Sequence, residues 1–337
     1  MTASASPFQS AAIIGGGAWG TALASLIAAN GVDALIWALE PETAAAINDR
    51  HENLPFLPGV QLPESLRATS DLSATSGRDA YLFVAPAQHA RPLLGEMRRV
   101  APREAALALC AKGIERATGK MLTEVLEEVW PEARAAVLSG PSFARDVAIG
   151  LPTAVTLAAC DPALGARWMA TIGAPHFRPY LSDDLIGAEL GGAVKNVLAI
   201  AAGAVEGKGL GDSARAALIA RGFAEFQRLG VAIGARPETM AGLSGLGDLI
   251  LTATSRQSRN MSLGFELGRG RKIADILSER RAVTEGVATA PAVVAMAMRA
   301  GVEMPVCAAV SELVSGARGL DDIIAALLAR PLKSEGR

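Results

Sequence analysis

Cysteine is nearly absent: Cys110, Cys160 and Cys307 are the only three in 337 residues. They lie far apart without metal-ligand spacing and read as buried free thiols in a reducing compartment. His51, His89 and His176 show no ligand spacing either, so no metal is expected. Charge is sparse, at 20% of residues against 50% hydrophobic, which excludes a disordered chain. No basic excess exists: Lys and Arg total 32, Asp and Glu 34, for a net charge of -2. That balance argues against a general nucleic-acid binder. Arg98-Arg99 and Arg280-Arg281 read as solvated faces. No Lys or Arg precedes the apolar run from Ala11 to Ala29, so it is not a signal peptide. Gly15, Gly16, Gly17 and Gly20 crowd its middle and Asn30-Gly31 stops it, so it is not a membrane span either. A cytoplasmic protein without membrane insertion is the expectation.

What is present is organised in two halves. The length suits about two domains. In the first half, short apolar runs alternate with helical patterns. Ala11–Ile14 predicts a strand, Thr21–Asn30 a helix and Asp33–Leu39 a second strand, with Pro41 in the first turn of the next helix. Tyr81–Ala85, Ala106–Cys110, Ala135–Ser139 and Ala154–Ala158 are further strand candidates, and Met121–Trp130 a helix. This alternation predicts an α/β fold with a parallel sheet covered by helices on both faces. After Ser182 the strands stop. Asp184–Val205, Ser213–Leu229, Thr289–Arg299 and Leu320–Ala329 read as helices. The division expected is a Rossmann-like dinucleotide-binding domain over 1–184 and a helical substrate domain over 185–337.

Gly15-x-Gly17-x-x-Gly20 sits between a strand and a helix, where each glycine has a task. Gly15 makes the tight turn, Gly17 lets backbone approach a pyrophosphate, and Gly20 lets helix and strand pack closely. The helix N-terminus then faces the phosphates. Glu40, twenty positions after Gly20, is placed to hydrogen-bond an adenosine ribose. Its neighbour Leu39 offers no charge to a 2′-phosphate, so the cofactor expected is NAD or NADP, with NAD favoured.

Four later segments carry polar groups in small-residue surroundings. Lys112 follows a strand, where open parallel sheets bind ligands. Ser139-Gly140-Pro141-Ser142-Phe143-Ala144 reads as a turn opening a helix, able to bring N–H groups to an anion. Each could equally be an ordinary connection. Lys195 and Asn196 interrupt a run of small apolar residues. A Lys buried there has a lowered pKa and can exchange a proton near neutrality, whereas a snorkelling Lys would not. Asp248 among apolar neighbours needs a partner, for which Lys195 is a candidate. Arg259, flanked by Ser258 and Asn260, offers a fork suited to phosphate oxygens; the alternatives are a helix-capping Asp and a surface Arg.

Together these motifs resemble the bacterial NAD(P)-dependent sn-glycerol-3-phosphate dehydrogenases, from about Ala11 to Leu328. The stretch from Gly15 is similar to that family's nucleotide loop. Asn53 with Phe56-Leu57-Pro58-Gly59 is similar to its N-x-x-YLPG segment, with Phe for Tyr. Lys112, Ser139–Ala144, Gly191–Asn196, Gly207–Asp212, Gly242–Thr252 and Ser258–Asn260 match further signatures. The resemblance implies Lys195 as catalytic acid/base, Asp248 as its partner, and Lys112 and Asn260 positioning substrate. Arg259, Ser258, Gly140 and Ser142 would line the substrate and phosphate region, while Trp19, Ala144, Val283 and Glu285 would contact cofactor. The reaction implied interconverts glycerone phosphate and sn-glycerol 3-phosphate, commonly for the phospholipid backbone, in a homodimer. The sequence departs from the family pattern at Leu39 (often Arg or His), Ser213 (Asn) and Asp146 (Glu). A dehydrogenase of another hydroxy acid and a non-catalytic NAD sensor are the rival readings.

Overall fold

The computed structural model describes residues 5–280 and 283–331. Strand β1 (Ser10–Ile14) shows why the first apolar run is a strand. Ala11 and Ile13 enter one hydrophobic cluster and Ala12 and Ile14 another, so both faces of the strand are covered. Helix α1 (Ala18–Ala29) follows, then β2 (Asp33–Trp37), α2 (Pro41–Arg50), β3 (Arg67–Thr69) and β4 (Ala80–Phe83). After these come α3 (Ala90–Val100), β5 (Ala106–Leu109), α4 (Leu122–Val129), β6 (Arg134–Ser139), α5 (Ala144–Ala148), β7 (Thr153–Ala158), α6 (Pro162–Ile172) and β8 (Phe177–Ser182).

The strands form one sheet in the order β3-β2-β1-β4-β5-β6-β7-β8. Strands β1 to β6 run parallel, and the order reverses direction between β1 and β4, which opens a crevice beyond their carboxyl ends. The parallel sheet expected is present, with one reversal at β7, which is antiparallel to β6 and parallel to β8. The connection from β6 to β7 holds only the short α5. That helix advances about 7.5 Å, well short of the roughly 20 Å needed to return along a strand like β6. Strands β3 and β8 lack the apolar runs that mark the others, because they are the two edges of the sheet. Cys110 and Cys307 are buried, but Cys160 is exposed, because it lies in the turn between β7 and α6.

Beyond Ser182 all named elements are helical: α7 (Leu185–Gly207), α8 (Asp212–Ala232), α9 (Pro237–Ala241), α10 (Asp248–Thr254), α11 (Arg259–Gly268), α12 (Ile273–Ser278), α13 (Glu285–Arg299), α14 (Pro305–Ser315) and α15 (Leu320–Leu328). Helix α7 is long and apolar enough to cross a membrane, yet it is the core of this half, buried from Gly187 to Val205. Helix α11 packs along it without intervening side chains. A Cβ on Gly203 would come within 2.1 Å of the Met261 carbonyl oxygen, and one on Gly264 within 2.0 Å of the Ile200 oxygen. This contact seats the start of α11 beside the middle of α7, at the mouth of the sheet crevice.

Candidate active site

The nucleotide loop is built as its glycines require. Gly15 has φ +128°, and a Cβ there would lie 2.8 Å from the Ala85 nitrogen. A Cβ on Gly20 would lie 1.9 Å from the Gly15 oxygen, so helix and strand could not close. At Gly17 a Cβ meets no protein atom within 4 Å. The fold itself therefore does not demand glycine there, whereas close approach of a pyrophosphate to the backbone does. Gly17 caps α1 with no side-chain hydrogen bond and no acidic residue in the first turn, which leaves N–H groups for an anion. Asn53, fully buried, braces the loop by donating to the Gly16 carbonyl at 2.8 Å and the Thr21 hydroxyl at 2.7 Å. Glu40 is half-buried at the start of α2 and Leu39 is 70% exposed beside it. Trp19 Nε1 and one Glu285 carboxylate oxygen are buried without a partner. Together these features fit a dinucleotide.

The polar cluster lies at the carboxyl ends of β5 and β6 against α7 and α10. Lys195 Nζ donates to Asp248 Oδ1 at 2.6 Å and to Thr252 Oγ1 at 3.0 Å. Lys112 Nζ donates to the other oxygen of Asp248 at 2.7 Å and to the Gly140 carbonyl at 2.9 Å. One carboxylate thus bridges two ammonium groups. Asp248 is fully buried and Lys195 is 8% exposed, so neither is a helix cap or a snorkelling side chain in water. Burial pulls the Lys195 pKa down to about 7; Asp248 opposes the shift and Lys112 adds to it. The π-helical turn Leu243–Gly247 precedes Asp248 and is pressed against Gly191, where a Cβ would come 2.3 Å from the Ser244 oxygen. Ser142 Oγ donates to the Gly140 carbonyl at 3.1 Å, and Ala144 begins α5.

A second set links the cluster to α11 and α13. Asn196 donates to the Lys112 carbonyl at 3.1 Å, Asn260 donates to Asn196 Oδ1 at 2.8 Å, and the Gly286 N–H donates to Asn260 Oδ1 at 2.9 Å. Ser258 caps α11 by accepting the Met261 N–H. Arg259, the first residue of α11, is solvent-accessible and has no ion pair among the described residues. Crowding by the surrounding wall lowers its pKa while Glu285 opposes the shift, and the guanidinium stays charged. Glu285 accepts the Ala87 N–H at 3.2 Å; burial raises its pKa, and Ala87 and Arg259 oppose that. Val283 is 44% exposed on the same approach.

Lys112, Gly140, Ser142, Lys195 and Asp248 therefore meet in one cluster. Asn260 joins the cluster through Asn196, and the Ser258 hydroxyl is engaged in capping α11. The Gly15–Gly20 loop follows β1, and Leu39 and Glu40 follow β2. Arg280 is not a solvated face: it is half-buried and donates to the Arg259 carbonyl at 2.7 Å and Ser262 Oγ at 3.1 Å. Its neighbour Arg281 lies outside the described residues. Thr252, Asn196 and the bracing role of Asn53 were not assigned from sequence. The signal for Asn196 was present, since a buried amide in an apolar helix requires partners.

A family model described as the N-terminus of NAD-dependent glycerol-3-phosphate dehydrogenase matches residues 10–164, and one described as its C-terminus matches 184–325. The glycerol-3-phosphate dehydrogenase [NAD(P)+] of Rhodospirillum rubrum is 58% identical over 326 residues, 96% of this chain and 93% of that one. The crystal structure of glycerol-3-phosphate dehydrogenase from Coxiella burnetii superposes with TM-score 0.92 at 36% identity, covering 96% of this chain and 99% of that one. A ketopantoate reductase from Ralstonia eutropha shares the fold at TM-score 0.60 and 18% identity, over 91% of this chain and 97% of that one.

Proposed function

The chain belongs to the NAD-dependent glycerol-3-phosphate dehydrogenase family, and on that footing we propose how its residues divide the work. It is an oxidoreductase that interconverts glycerone phosphate and sn-glycerol 3-phosphate with NAD(P)H. The observation that carries the assignment of roles is the Asp248 carboxylate shared by Lys112 and Lys195. Lys195 is the general acid/base: with its pKa drawn to about 7 it holds a proton it can release near neutral pH. In the reducing direction that proton passes from Lys195 Nζ to the oxygen of the former carbonyl. Asp248 and Thr252 fix the direction in which Nζ points. Lys112, held on the other oxygen of Asp248, stabilises the negative charge that develops on the reacting oxygen.

The cofactor supplies the hydride, and Gly15, Gly17, Trp19, Gly20, Glu40, Ala144, Val283 and Glu285 would hold it. Arg259 grips the substrate phosphate and so orients the carbonyl carbon. Gly140, Ser142, Ser258 and Asn260 shape the pocket between them. The exposed Leu39 beside Glu40 supports a preference for NAD over NADP. The same reading takes 1–184 as the cofactor domain and 185–337 as the substrate domain, in a cytoplasmic homodimer that supplies the phospholipid backbone. Support for the division is that the last strand ends at Ser182 and α7 begins at Leu185. Light scattering of the purified protein tests the dimer.

The decisive experiment follows NADH absorbance at 340 nm on adding glycerone phosphate, with NADPH in parallel. The expected result is rapid oxidation, with a higher kcat/KM for NADH. Faster turnover of a non-phosphorylated keto acid would reassign the substrate. Absence of turnover by Lys195→Ala with unchanged NADH affinity would support its role, and near-normal turnover would remove it.

A further inference from the structure

Three polar side chains interrupt the buried stretch of α7 from Gly187 to Val205: Glu189, Lys195 and Asn196. The last two belong to the cluster described above. Glu189 does not touch it, yet it is 3% exposed and fully engaged. Its carboxylate accepts the N–H of Leu122, the N–H of Thr123 at 3.3 Å and the Thr123 hydroxyl at 2.7 Å. Leu122 and Thr123 are the first residues of α4; the N–H of Met121 before them is taken by Glu124 of α4 itself at 2.8 Å, which leaves theirs for another partner. A carboxylate from another helix thus takes the first two N–H groups of α4 and meets the positive end of its dipole.

Glu189, Gly192 and Asn196 stand at i, i+3 and i+7, on one face of α7. Along that face α7 meets the segment between β5 and α4, which carries Lys112. Glu189 holds its far end at Leu122 and Thr123. Gly192 lies under Lys112, where a Cβ would come 3.3 Å from Lys112 Cγ. Asn196 holds the Lys112 carbonyl at 3.1 Å. Gln88 donates to the Ile114 carbonyl at 2.8 Å and Arg299 to the Gly119 carbonyl at 2.8 Å, so the segment is also tied from other sides. Only α7, however, carries Lys195 as well.

We infer that Glu189 is a positioning residue that latches the start of α4 onto α7 and thereby holds Lys112 in register with Lys195 and Asp248. The inference rests on the catalytic assignment given above. Its consequence is specific. Lys112 shares the Asp248 carboxylate and its charge helps keep the Lys195 proton labile. Releasing the latch lets Lys112 drift, which lowers turnover and lets Lys195 keep its proton to higher pH. The charged neighbours at the latch itself are Glu124, on α4, and those at the far end are Lys112, Asp248 and Lys195.

The test compares Glu189→Ala, Glu189→Gln and Thr123→Val. In Glu189→Ala, kcat/KM for glycerone phosphate is expected to fall about 10-fold or more, as sub-ångström to ångström misplacement does. NADH affinity, read by quenching of tryptophan fluorescence, stays as in the unaltered protein. The pH inflection of kcat/KM moves upward, and hydrogen exchange at Leu122 and Thr123 accelerates. Glu189→Gln, whose amide oxygen still accepts one N–H, restores most of the activity. Thr123→Val attacks the latch from α4 and serves if Glu189→Ala does not fold. Unchanged kcat/KM and pH inflection in a folded variant, or retained exchange protection at Leu122 and Thr123, overturns the latch. Failure of the unaltered protein to turn over glycerone phosphate would instead overturn the substrate reading, and the exchange arm would still decide the latch.

Discussion

Lys195 shows how a single residue acquires its chemistry. A lysine in water keeps its proton far above neutrality, but here desolvation outweighs the attraction of Asp248 and draws the pKa to about 7. In the free enzyme, kcat/KM for reduction, which needs the protonated amine, is expected to fall as pH rises through about 7. For oxidation, which needs the neutral amine, it should rise over the same range, and paired pH–rate profiles check both. Gly17 and Gly20 make a matched test of the nucleotide loop. Gly20→Ala collides with the Gly15 carbonyl and should lower the melting temperature of the free protein markedly. Gly17→Ala meets nothing, so it should cost about 1 kcal/mol or less of stability, the scale of an N-cap change, while weakening NADH binding. Calorimetry with and without NADH separates the two. At the ribose end, Leu39→Arg should shift the kcat/KM ratio toward NADPH by supplying the missing cation.

The decisive element contact is between α7 and α11. Gly203 and Gly207 on one helix face Gly264 and Gly268 on the other at four-residue spacing, and the backbones touch. The contact sets the distance between Lys195, carried by α7, and Arg259, at the head of α11. A methyl group at this seam forces the helices apart. Gly264→Ala is expected to destabilise the protein by about 1–3 kcal/mol, the usual cost of overpacking. It should also raise KM for glycerone phosphate more than KM for NADH, because it moves Arg259 relative to Lys195; denaturant titration and steady-state kinetics check this. The sequence marked α7 as a run of small apolar residues, but composition does not say which helix faces it. Helix α11 was legible only as the motif Ser258–Asn260, and its length had no periodic signal strong enough to bound it. Strands β1, β2, β4, β5, β6 and β7 were legible because burial on both faces demands unbroken apolar runs. The edge strands β3 and β8 were not, because nothing forces such a run on them.

Across the described residues, buried carboxylates cap helices far from them in the sequence. Glu189 caps α4, and Glu225 on α8 accepts the N–H of Val306 at 2.8 Å and of Cys307 at 3.2 Å at the start of α14. Burial raises both to about 7 from an ordinary 4.5, so the folded chain binds more protons than the unfolded one between those values. Their contribution to stability is therefore full below about 4.5 and lost as pH rises through about 7. Lys195 acts in the opposite sense: its lowered pKa makes stability rise from about 7 toward the ordinary lysine value of 10.5. From these three groups, the melting temperature should pass through a shallow minimum near neutrality. Glu225→Gln should reduce the decline between pH 5 and pH 7, and a scanning-fluorimetry series in pH measures it.

The amino-acid order by itself determined the alternation of strands and helices, the nucleotide loop and the identity of the polar residues in small-residue surroundings. Those follow from local rules: side-chain periodicity, the conformational demands of a tight turn, and the need of any buried charge for a partner. It left open which partner each charge would find. That Lys112 and Lys195, 83 positions apart, share the two oxygens of Asp248, and that Glu189 reaches α4 rather than the cluster, was decided only by the tertiary structure. The same holds for the reversal at β7 and for Arg280 turning inward to Arg259. Pairing between distant residues depends on how whole elements pack, and no local pattern encodes the distance between two helices.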